Sequence, residues 1–313
     1  MKLKKSGALF LSLLTVSLTS SSDLRAADKL RIVTTTSTFA SLAGDIAGDR
    51  AEIYSIASPR RNIHFISPTP KDVVKTKKAD VFIHAGLDLE AWRGPLLDAA
   101  GRPELMGPTG NRQIDVSKGI PLLEVPTNLS RIEGDIHAYG NPHYWLDPEN
   151  GGIIARNIVE GLSRIDPADA DFFQHNGAAF EDRLHQKMRE WRDLLAPVKG
   201  QKIVTYHKSW SYFAERFGLI VLGELEPKPG IPPTAKHLAD LENTMRTNHV
   251  KVIIKETYFE NRTPEKVAKE TGAAVLNFAQ AVGEIKEAPD YLAMIDYNVR
   301  AIAAAFENPG ESK

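Results

Sequence analysis

LRIVTTTSTFASLAGDIAGDRAEIYSIAS, residues 30–58, decides the fold class. LRIVTTT (30–36) is apolar and β-branched, the composition of a strand buried on both faces. STFASLAGDIAGD (37–49) follows, with Ser37 or Thr38 as N-cap and Phe39, Leu42 and Ile46 on one helical face. AEIYSIAS (51–58) is again a strand. A strand, a helix and a strand in so short a span form a βαβ unit, which places the two strands parallel in one sheet.

The same rhythm runs downstream. SPTPKDVVKTKKAD (67–80) starts a helix, with Thr69 as N-cap, Pro70 in the first turn and Asp72 near the positive end of the dipole. DVFIHAG (80–86) is a third strand, and LDLEAWRGPLLDAAG (87–101) a helix after it. Beyond residue 106 the chain is rich in Gly, Pro and Asn up to DPEN (147–150). NGGIIARNIVEGLSRI (150–165) is amphipathic, and residues 166–197 read as one long helix ended by Pro197. About 28 helical residues run about 40 Å, more than one lobe needs for itself. Alternation then restarts. KIVTYH (202–207), LIVLGEL (219–225), VKVIIKE (250–256) and AAVLNF (273–278) are strands. SWSYFAERFG (209–218), TPEKVAKETG (263–272), the end of 226–248 and residues 291–307 are helices. The expected architecture is α/β: two parallel-sheet lobes, 27–165 and 198–313, joined by a long rigid helix at 166–197, with a site in the cleft between them.

Composition narrows the function. The 313 residues are 42% hydrophobic and carry a formal net charge of -1, which gives no broad attraction to nucleic acid or anionic lipid. Residues 1–26 read as a signal peptide: Lys2, Lys4 and Lys5, then the apolar GALFLSLLTVSLTS (7–20), then small residues for cleavage after Ala26. The alternative is a retained anchor. The chain has no cysteine, so it has no disulfide, no acylation site for a lipoprotein and no thiolate ligand. An exported, cysteine-free chain is expected in the periplasm, and any metal site must use His, Asp, Glu and neutral ligands.

In open α/β sheets, ligands bind beyond the carboxyl ends of strands. His207 ends KIVTYH, and Glu256 ends VKVIIKE in the same lobe. His64 in RRNIHFISPTP and His143 in GNPHYWLDP come from loops of the other lobe. Three imidazoles and a carboxylate suit tetrahedral Zn²⁺. Asp147 and Tyr206 stand close enough in sequence to set imidazole tautomers. His175, His185, His237 and His249 fall on polar faces or ends of helices and read as solvated. His84 ends a strand and reads as structural or supporting. His137 is either solvated or a capture residue at the cleft mouth. No P-loop, GxGxxG after a strand, GxSxG or HExxH motif is present.

Taken together and in order, these segments resemble the solute-binding proteins of zinc and manganese ABC transporters, the ZnuA/TroA-like cluster. IHFISPTPKDV (63–73), HAGLDLEAW (84–92), NPHYWLDP (141–148), VTYHKSWSYFAERFGL (204–219) and EPKPGIPPTAKHL (226–238) carry the likeness across essentially the whole mature chain. It implies two α/β lobes, a rigid linking helix and one metal between them, with His64, His143 and His207 as ligands. Members favouring manganese tend to have glutamate where His207 stands, so a histidine implies zinc. Where the family places an aspartate after the last strand, LNFAQAVGE (276–284) has Ala279 or Gln280. The fourth ligand is then Glu256 or water. SRIEGDIHAYG (130–140) lacks the family's long His/Asp/Glu-rich run, and Arg60 and Arg61 are expected to point to solvent.

The resemblance implies a monomeric periplasmic binder that captures Zn²⁺ and hands it to a membrane ABC permease, and no enzyme. The alternatives are a manganese or iron binder of the same family, a zinc-dependent hydrolase, and a binder of an organic metal chelate. Neutral imidazoles are needed for binding, so affinity is expected to fall below pH about 6.5.

Overall fold

The computed structural model describes residues 29–105, 111–127 and 137–307. The signal segment 1–26 and residues 130–136 of the loop before His143 lie outside these. The first lobe contains β1 (Leu30–Thr34), α1 (Ser37–Ala47), β2 (Ala51–Ser55), α2 (Pro70–Lys77), β3 (Val81–His84), α3 (Arg93–Ala100), β4 (Gln113–Asp115) and α4 (Pro148–Ile165). After α5 (Ala170–Leu195) come β5 (Lys202–Thr205), α6 (Ser211–Phe217), β6 (Ile220–Glu224), α7 (Ala235–Thr247), β7 (Val252–Glu256), α8 (Arg262–Thr271), β8 (Ala274–Phe278) and α9 (Tyr291–Glu307). The described strands form two parallel sheets, ordered β2-β1-β3-β4 and β6-β5-β7-β8. In each, the order reverses beside the first strand, which opens a crevice at the strand carboxyl ends.

Local chemistry explains most boundaries. Thr69 caps α2 in a capping box with Asp72, and Pro70 fills the first helical position, as its sequence predicts. α1 is capped by Thr36, whose hydroxyl accepts from Phe39 N, rather than by Ser37 or Thr38. The helix expected from residue 87 begins at Arg93. Gly86, Leu87 and Asp88 all have positive φ, which winds the chain the wrong way for a helix. β4 is a three-residue strand inside a stretch that reads as loop.

α5 is 26 residues long, about 39 Å at the helical rise. Phe173, Phe180, Leu184, Met188, Trp191 and Leu195 form its buried stripe, which packs on α1 and α4 and on α9. One continuous apolar core results, running from Phe39 and Ile158 in the first lobe through Trp191 to Ile254 and Ile302 in the second. Strand alternation splits the second sheet: Ile203, Val252 and Ile254 face this shared core, while Val204 and Ile253 face a smaller cluster with Leu241, Met245 and Val267 under α7 and α8.

Candidate metal centre

The three histidines arrive from three loops. His64 lies in the turn Ile63–Phe65 after β2, held by the Asn62 side chain, which accepts from His64 N. His143 precedes the turn Tyr144–Leu146. Tyr144 donates to Ala85 O at 2.6 Å, and Trp145 donates across the cleft to Gln280 O at 2.9 Å, so the loop is bonded to both lobes. His207 lies just past β5, with Tyr206 between it and the end of the strand. Among the described residues, one atom from each of these three side chains lies within 4.8 Å of the other two. His64 Nε2 and His143 Nε2 are 3.1 Å apart. A tetrahedral ion with bonds of ~2.05 Å separates its ligand nitrogens by about 3.3 Å, so the spacing fits one metal.

The hydrogen bonds fix which nitrogens are available. Asn141 Nδ2 donates to Glu124 Oε2 and to Lys208 O, both at 2.8 Å. Those partners only accept, so the amide oxygen must face His143, where it takes the backbone N–H at 3.0 Å and stands 2.9 Å from Nδ1. Nδ1 therefore carries the proton and Nε2 the lone pair. His207 Nδ1 is 2.7 Å from Glu226 Oε2, a carboxylate that also requires Nδ1–H and leaves Nε2 free. Burial, and secondarily the neighbouring histidines, hold the pKa values of His64 and His143 well below the usual imidazole range. Both shifts favour the neutral, metal-ready form of the ring.

Glu256 ends β7 beside β5, fully buried, and is outside the group of three. Neither of its carboxylate oxygens has a hydrogen-bond partner among the described residues. Burial pushes its pKa up to about 7, with nearby His207 pulling the other way. Gln280, after β8, donates to Ser209 Oγ and accepts from the Tyr258 hydroxyl. The His137 ring lies 4.9 Å from the His64 ring, at the edge of an open cavity of about 520 Å³ that reaches His143, His207 and Lys208.

Other expectations resolve plainly. Asp147 does not touch an imidazole: it caps α4 and forms a paired contact with Arg216. Tyr206 stacks on Phe259 at 4.0 Å. The tautomer-setting groups are Asn141 and Glu226. His84 is buried, and its Nδ1 accepts from Gly86 N, a structural role. His175, His185 and His249 are exposed, and His237 is half-buried with Nε2 2.9 Å from Glu224 O. Arg60 and Arg61 are exposed, and Arg60 donates to Glu284 O.

Two parallel α/β lobes on one core, with imidazoles from both converging in the crevice, define a two-lobed metal-binding protein. The family model for the periplasmic zinc-uptake complex component A, ZnuA, matches residues 32–305, and the chain belongs to that family. It is 30% identical over 306 residues to the metal ABC transporter substrate-binding lipoprotein FimA of Streptococcus parasanguinis, covering 95% of this chain and 94% of FimA. It is 29% identical over 291 residues to the iron-binding protein YfeA of Yersinia pestis, covering 90% and 87%. A crystal structure of ZnuA superposes with a TM-score of 0.76 at 24% identity, covering 88% of this chain and 99% of that one, a likeness of fold. Membership makes the chain a metal-binding ABC transporter substrate-binding protein, not an enzyme, which removes the hydrolase alternative.

Proposed function

We propose that the protein captures Zn²⁺ in the periplasm through His64, His143 and His207 and delivers it, as a monomer, to an ABC permease. The observation that carries this reading is three imidazoles with a ligand atom each within 4.8 Å of one another and, among the described residues, no carboxylate in that group. Nitrogen donors suit zinc, whereas manganese prefers oxygen and binds such sites most weakly among divalent first-row metals. The fourth position falls to Glu256, a buried acid with both oxygens unsatisfied, or to water from the open cavity. The lack of cysteine and the signal-like residues 1–26 support export without acylation. Among the described residues, no helix is long and apolar enough to cross a membrane.

Manganese or iron is the second reading, favoured by the names of the iron-binding YfeA and the manganese ABC transporter lipoprotein PsaA of Streptococcus mitis, 28% identical to this chain. Calorimetry of metal-stripped protein with Zn²⁺, Mn²⁺ and Fe²⁺ decides between them. Tight 1:1 zinc binding that is lost in His143→Ala supports the proposal. Failure to bind zinc at micromolar concentration, or tighter manganese binding, overturns it. Titrating Glu256→Gln separates the two completions, since only a carboxylate ligand makes that change costly.

A further inference from the structure

The two imidazoles with defined partners differ in what holds them. His143 Nδ1 faces a neutral amide, Asn141. His207 Nδ1 faces a carboxylate, Glu226, at 2.7 Å, within the range of charge-assisted hydrogen bonds. The Glu226 backbone is fixed to the chain just before His207: Leu225 N donates to Thr205 O at 2.8 Å and Glu226 N to Tyr206 O at 3.0 Å, extending the β5–β6 pairing past the ends of the strands. Its side chain is only 12% exposed, so water screens the pair weakly. The acids that line the open cavity are Glu124, which is bonded to Asn141, Ser211 and Lys208, and Glu224, whose backbone oxygen stands 2.9 Å from His237 Nε2.

We propose that Glu226 is a specificity-determining residue of the metal centre, supplying through His207 the negative charge that a three-imidazole group lacks and so favouring zinc over manganese. A carboxylate on the remote N–H of an imidazole makes the ring a stronger donor to the ion and fixes its orientation. That gain scales with how strongly the ion bonds nitrogen, and Mn²⁺ stands at the bottom of that order. Glu226 acts by positioning and polarising His207; it does not touch the metal.

This inference rests on zinc capture by the three histidines. The test compares full-length wild type, Glu226→Gln and Glu226→Ala, each stripped of metal and checked by thermal melting, for Zn²⁺ and Mn²⁺ affinity. Visible absorption of the Co²⁺ form adds a readout of ligand strength. Glu226→Gln keeps an acceptor for Nδ1–H and removes only the charge. The expected result is a loss of zinc affinity of about 10–100-fold with manganese within about threefold, and a shifted Co²⁺ spectrum. An unchanged zinc-to-manganese ratio in Glu226→Gln overturns the proposal, whether both affinities hold or both fall together. Wild type that fails to bind zinc sinks the functional reading itself, a distinct outcome.

Discussion

Asn141 Oδ1 stands 2.9 Å from His143 Nδ1, while the same amide's nitrogen donates to the carbonyl of Lys208, the residue after His207. One side chain thus sets the tautomer of a histidine from the first lobe and bonds the loop of a histidine from the second. Asn141→Ala is expected to lower zinc affinity by about 10–100-fold. Asn141→Asp puts an acceptor opposite Glu124 and Lys208 O, so it should melt below Asn141→Ala, with ~1–3 kcal/mol lost to the unmatched groups. Calorimetry and thermal melting of both variants check the two effects. Equal melting of both would contradict the amide orientation.

The Arg216–Asp147 pair ties α6 to the start of α4 and is a stability device rather than part of the metal centre. Arg216 Nε and Nη2 each reach one Asp147 oxygen at 2.7 Å, and Asp147 also caps α4. The pair is partly exposed, so Arg216→Ala should cost about 1–2 kcal/mol in urea unfolding. Arg216→Lys should not restore it, because an ammonium cannot make the two parallel bonds. Zinc stoichiometry should be unchanged in both.

Two adjacent glycines in α4 should respond in opposite directions. A Cβ on Gly151 would stand 2.4 Å from the Tyr291 hydroxyl, which donates to Trp145 O at 2.8 Å. Tyr291 is fully buried and cannot swing away, so Gly151→Ala should destabilise by about 1–3 kcal/mol. At Gly152 the nearest atom is Leu184 Cδ2 at 3.5 Å, ordinary contact. Gly152→Ala should therefore stabilise by up to about 1 kcal/mol through helix propensity. Melting temperatures of the two variants decide.

The two parallel sheets and the long helix are legible in the sequence because they rest on strand–helix alternation and apolar periodicity, which are local, whereas the order of the strands within each sheet is not. The convergence of His64, His143 and His207 was legible from strand ends and motif context. Asn141 has a signal in the sequence: Asn two residues before His143 is the pattern of an Asx turn, and Asn141 Oδ1 does accept from His143 N. Glu226 was harder, because its contact depends on β6 lying beside β5, a pairing between strands separated by a helix. The late start of α3 depends on positive φ at Leu87 and Asp88, which their side chains do not announce.

Buried Glu90 gives the apo protein a pH dependence that a single substitution isolates. Burial raises its pKa from 4.5 to about 7, against the pull of Thr35 and Ala85, which donate to Oε1 at 2.6 and 2.7 Å. Between those values the native state holds a proton that the unfolded chain has released, so its contribution is complete below pH 4.5 and is lost as pH rises through 7. His84 has the opposite sign. Burial lowers its pKa from 6.5 to about 4, so the unfolded state binds the extra proton and stability rises across that window. The two slopes oppose each other in wild type. Glu90→Gln keeps an oxygen for Thr35 and Ala85 and removes the ionisation. Its stability relative to wild type should therefore grow from pH 5 to pH 8, by up to about 3 kcal/mol. Urea unfolding of metal-free protein at both pH values measures this, and a difference that does not change with pH would show that Glu90 is ionised throughout.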